Sequence, residues 1–80
     1  MSIEQRVKKV FEDVLDIKPQ EIKPEDKLEN GLGIDSTEMV ELCVAIKKEF
    51  RLDGMANNDL KKQHTFNQIV DIIKSKGASA

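Results

Sequence analysis

The chain has no tryptophan, no tyrosine, one histidine, one cysteine and two prolines among 80 residues. Each shortage excludes something. A single cysteine, Cys43, forms no internal disulfide, and together with His64 it leaves too few ligands for a structural zinc site. Stability must come from packing alone. No apolar run is longer than the five residues Leu42 to Ile46, far short of a membrane span, and the opening MSIEQRVKK has no apolar signal core. One unpaired cysteine among apolar neighbours suits a reducing compartment, so the cytoplasm is the expected one. With only Phe11, Phe50 and Phe66 as aromatics, 39% apolar and 35% charged residues, the core is small and aliphatic. That composition predicts one compact helical domain spanning 1–80, monomeric, with 78–80 a frayed tail.

Net charge is small but unevenly distributed. The net charge is −2, but residues 12–46 hold ten acids against three lysines, a local balance of −7. An acidic half steers toward basic protein partners and away from nucleic acid. An ordinary solvated surface explains the same count.

Apolar residues at Ile3, Val7, Val10, Phe11, Val14 and Leu15 follow helical spacing, and Ser2 with Gln5 makes a capping box. The spacing predicts a helix over about 3–16, stopped by Lys18-Pro19. From Ile17 to Ile34 the sequence reads as a long ordered loop, pinned by Ile22, Leu28, Leu32 and Ile34; loops of that length in small domains are usually functional. Asn30-Gly31-Leu32-Gly33 tolerates positive φ, and Asp35 with Glu38 opens a second helix over about Ser36 to Phe50. Its apolar positions are too dense for one clean face, with Val40, Cys43, Val44 and Ile46 among those expected to point inward. Arg51-Leu52-Asp53-Gly54 reads as a turn, Asn57 to Gln63 as a short third helix with Leu60 inward. Thr65 with Gln68 caps a last helix that ends near Lys76, before Gly77. The expected fold is all-α: a small antiparallel four-helix bundle, three main helices plus the short third, with the long loop between the first two.

Three groups of residues bear on chemistry. Ser36, His64 and Asp35 are the residue types of a hydrolytic triad, but no nucleophile elbow accompanies them and so small an aliphatic bundle has little room for a cleft. Cys43 and His64 match no metal-ligand spacing, so no metal is expected. The third is Leu32-Gly33-Ile34-Asp35-Ser36, which delivers a serine to the first turn of an acidic helix, where a phosphate ester is tolerated by backbone amides and the helix dipole. Read without its surroundings, the dipeptide is simply a helix cap.

The surroundings add a resemblance. Gly33-Ile34-Asp35-Ser36-Thr37-Glu38-Met39-Val40-Glu41-Leu42, followed by Ala45, Glu49 and Phe50, closely resembles the acyl carrier proteins, and the likeness covers nearly the whole chain. It implies that a phosphopantetheinyl transferase attaches 4′-phosphopantetheine from coenzyme A to Ser36, and that the chain is no enzyme. It is expected to carry acyl groups as thioesters between separate enzymes of fatty acid, polyketide or related lipid biosynthesis. On this reading Asp35, Thr37, Glu38, Met39 and Glu41 meet partners with basic docking patches, through contacts that weaken with salt. Val40, Cys43, Ile46, Phe50, Leu60, Ile69 and Ile73 are candidates for the wall of an acyl cavity, or they merely close the core. An aminoacyl carrier and an unmodified helical adaptor are the alternatives. Thr37 departs from the family's usual large apolar residue, Lys47 and Lys48 stand in a commonly acidic stretch, Lys61 and Lys62 add positive charge, and Asp53 to Asn58 lacks the expected Ile-Pro turn. These departures point to a specialised, free-standing carrier.

Overall fold

A computed structural model describes residues 2–78. Three α-helices form in it: α1 (Ile3–Leu15), α2 (Ser36–Phe50) and α3 (Phe66–Ser75). Each starts on the capping box that the sequence spells out. Ser2 Oγ accepts from the Gln5 amide at 3.1 Å while Gln5 Oε1 accepts from the Ser2 amide, and Asp35 with Glu38 and Thr65 with Gln68 repeat the exchange. A reciprocal cap satisfies two otherwise orphaned donors, so it fixes the first residue of a helix sharply. α1 and α2 both end on a left-handed residue, Asp16 and Arg51.

The short third helix expected over Asn57 to Gln63 is instead a single 3-10 turn at Asn57–Asp59, and a second such turn lies at Pro19–Glu21. The described chain therefore has three α-helices and not four. Three residues hold too few hydrogen bonds to propagate a helix. The turn is fixed by Asp59, whose carboxylate accepts from the Ala56 amide at 2.9 Å and pairs with Lys76 Nζ at 3.3 Å. The amide first, and the lysine after it, hold the Asp59 carboxyl below the usual aspartate range. A lowered folded pKa gives stability that is present above the ordinary aspartate pKa and lost as pH falls through the lowered one. Asp59→Asn is therefore expected to flatten the acid limb of a melting-temperature profile over that window and to leave its neutral-to-alkaline shape unchanged.

One hydrophobic cluster joins the helices to the connections between them. Phe11 of α1 meets Phe66 of α3 edge to face, with ring centroids 5.4 Å apart at 77°. α1 is tied to α2 by Arg6, which donates to the Glu49 carboxylate and carbonyl and lies 4.5 Å over the Phe50 ring. Ala78, expected to begin a frayed tail, instead packs against the cluster and donates its amide to the Ile73 carbonyl at 3.2 Å; residues 79 and 80 lie outside the described residues. Among the described residues no helix is long and apolar enough to cross a membrane.

Residues 16–35 join α1 to α2, anchored by Ile22, Leu28 and Ile34, all buried. Their backbone is hydrogen-bonded to the segment before α3. Leu28 donates to the His64 carbonyl, Glu29 to that of Lys62, Phe66 to that of Asp26 and Asn67 to that of Pro24, with an antiparallel bridge between Lys27 and Thr65. This pairing sets residues 24–29, which lead on to α2, against residues 62–67, which lead into α3. Gly31 fits because an added Cβ would lie 2.7 Å from the Lys27 carbonyl oxygen. Gly33 has φ +70, which only glycine adopts without strain. Gly33→Val is expected to lower stability by about 1–3 kcal/mol in a denaturant titration.

Candidate functional site

The start of α2 is built outward from its cap. Ile34 is buried and donates to the Leu28 carbonyl at 2.9 Å, which anchors the entry; Gly33 turns the chain; Asp35 Oδ1 then accepts from the Glu38 amide at 2.8 Å. Ser36 follows as the first residue of the helix, exposed to solvent. Its Oγ accepts a hydrogen bond from Lys62 Nζ at 3.2 Å. Sequence spacing gave no sign of that contact, because the two residues are 26 apart and meet only through the pairing of the two connecting segments.

Beside Ser36 lies an open depression of about 280 Å³, lined by Ser36, Met39, Asn58, Leu60, Lys61 and Lys62 among others. Met39 and Leu60 are buried and form its apolar floor. The lysines form a rim.

The other singled-out residues divide by face. Asp35, Thr37 and Glu41 are exposed and Glu38 is half-buried, so these four border the site at the surface. Met39 does not join them: it is 7% exposed and belongs to the core, a correction to its expected place on the partner face. Val40, expected in the interior, is 53% exposed, and Val44 is 44% exposed. The reason is angular. The buried positions Met39, Leu42, Cys43, Ile46 and Phe50 follow the i, i+3, i+4, i+7, i+11 pattern of one helical face and take the whole inward stripe, which leaves Val40 and Val44 one helical turn apart on the flank. Cys43, Ile46, Ile69 and Ile73 are fully buried, Phe50 and Leu60 nearly so. Burial pushes the Cys43 thiol above its ordinary pKa, with opposed smaller effects from Lys47 and Asp59, so it stays protonated at neutral pH.

His64 Nδ1 accepts from the Lys61 amide at 3.0 Å, which closes the turn before α3. The imidazole thus shapes backbone, and the Ser36 hydroxyl bonds to a lysine. No cluster of three or more histidine, cysteine, aspartate or glutamate side chains is placed to hold a metal among the described residues.

Residues 5–73 match the family described as phosphopantetheine attachment site. The chain belongs to that family. Its members carry covalently attached 4′-phosphopantetheine, which agrees with the likeness read from the residues around Ser36. The site fits such a group on its own evidence: an exposed hydroxyl on a fixed helix start, a cation at hydrogen-bond distance, and an apolar-floored depression alongside. A carrier domain of this kind meets a phosphopantetheinyl transferase and the enzymes that use the loaded arm.

Proposed function

We propose that the chain is an acyl carrier protein modified at Ser36. The observation that supports this best is the exposed Ser36 hydroxyl beside a depression floored by Met39 and Leu60. When bound, the prosthetic arm supplies a thiol that holds the cargo as a thioester. The chain's own residues do the rest. Asp35 and Glu38 fix the helix start that presents the hydroxyl. Met39 and Leu60 offer apolar surface next to it, and behind them Cys43, Ile46, Phe50, Ile69 and Ile73 close the cluster. An apolar chain entering from the depression has to part these side chains. Burial of each methylene contributes about 0.8 kcal/mol, so an eight-carbon chain gains up to roughly 6 kcal/mol, enough to offset local repacking. Aminoacyl cargo, polar at its amine, gains little there. Mass spectrometry of the protein isolated from its own cells is expected to show Ser36 bearing the arm with an acyl group. An amino acid on the arm would instead make the chain an aminoacyl carrier.

The partners are proposed to lie outside the housekeeping fatty-acid pathway. Along the outer side of α2, Asp35, Glu38 and Glu41 give way to the exposed Val40 and Val44, then to Lys47 and Lys48. A partner with basic residues alone opposes the first half of this helix and is repelled by the second. Thr37, exposed beside the site, withholds the apolar contact that the resemblance leads one to expect. The variant Thr37→Leu, Lys47→Glu, Lys48→Glu is therefore expected to improve turnover by housekeeping fatty-acid synthesis enzymes. Full activity of the unaltered protein with those enzymes, unchanged by the three substitutions, contradicts the specialisation.

A further inference from the structure

The helix start at Ser36 is a poor anion site by itself. The capping box already uses two backbone donors, since Asp35 Oδ1 takes the Glu38 amide and Glu38 Oε1 takes the Asp35 amide. Both partners are carboxylates, and they stand within three residues of the hydroxyl. A phosphodiester formed at Ser36 adds one more negative charge to this group. The cation that the structure places there is Lys62, with Nζ 3.2 Å from Ser36 Oγ. Its position is set by backbone and not by its own reach: Glu29 donates to the Lys62 carbonyl at 2.9 Å, and the next ties of the same connection, Leu28 to His64 and Ile34 to Leu28, fix Lys62 and Ser36 against each other.

We propose that Lys62 is the counter-ion of the modified serine. This rests on Ser36 carrying the prosthetic group. Once Oγ is esterified, the ammonium donates to a non-bridging phosphodiester oxygen, a charge-assisted bond stronger than the one it makes to a neutral hydroxyl. It thereby offsets the two neighbouring carboxylates. Because Lys62 lies on the rim of the depression with the Met39 and Leu60 floor, the same contact holds the root of the arm on that side of α2. Lys62 is a positioning residue: it sets where the arm starts, and the arm does the carrying.

The test is phosphorus-31 NMR of the modified protein, for the unaltered chain and for Lys62→Gln, Lys62→Arg and Lys74→Gln. Lys74 is an exposed residue in the last turn of α3, and its substitution changes the net charge by the same amount. In the unaltered chain, in Lys62→Arg and in Lys74→Gln, the phosphodiester resonance is expected to move as salt rises from about 0.01 M to about 1 M, as screening weakens the pair. In Lys62→Gln it is expected to sit near the high-salt position throughout. Modification of Lys62→Gln by a transferase is expected to slow by about two- to fivefold, the size of one partly exposed charge pair. A resonance in Lys62→Gln that coincides with the unaltered one at low salt and shifts equally with salt overturns the role of Lys62 alone. A chain that acquires no phosphorus signal at all overturns this role and the modification of Ser36 together.

Discussion

Ser36→Ala is expected to take up no prosthetic group from coenzyme A and transferase while melting almost where the unaltered chain melts. The loss is complete because the hydroxyl oxygen is the atom to be esterified, and neighbouring Thr37, though exposed, sits one position further round the helix. The fold is spared because Ser36 is exposed and its cap is supplied by Asp35, not by Ser36. Surface substitutions of this kind stay within about 0.5 kcal/mol. Intact mass and a thermal melt on the same sample check both halves of the expectation. Uptake by the variant assigns the modification elsewhere, and a collapsed melt makes Ser36 a structural residue.

Phe66→Ala is expected to do the reverse, leaving Ser36 in place but strongly destabilising the fold that presents it. Phe66 is 1% exposed, stands as the first residue of α3 and meets Phe11 across the core. Its truncation costs about 3–5 kcal/mol. A domain of this size has only about 4–12 kcal/mol in total. With about 4–8 °C lost per kcal/mol, the melting temperature should fall by more than ~12 °C. The effect reaches the functional site, because the Phe66 amide also donates to the Asp26 carbonyl and so belongs to the pairing that sets Lys62 against Ser36. A variant that melts within a few degrees of the unaltered chain places the core elsewhere.

What could be read from the sequence was local. Ser2 with Gln5, Asp35 with Glu38 and Thr65 with Gln68 are signals spanning four residues, and all three helices start on them. The inward face of α2 was harder, since seven of the eight residues from Met39 to Ile46 are apolar and periodicity then discriminates weakly; Val40 and Val44 turn outward because the stripe through Met39, Leu42, Cys43 and Ile46 is already full. Asn57–Asp59 tightens into a 3-10 turn because Asp59 is bonded back to Ala56 and out to Lys76, a non-local tie. The contact of Lys62 with Ser36 had no sequence signal at all. It depends on two irregular segments pairing through single hydrogen bonds, with neither the alternation of a strand nor the spacing of a helix to announce it.

The most direct test of the account is to incubate the unaltered protein with coenzyme A and a broad-specificity phosphopantetheinyl transferase, then to locate the added mass by fragmentation. One 4′-phosphopantetheine on Ser36 is the predicted result. A chain that stays at its original mass, or carries the group on any other residue, contradicts it.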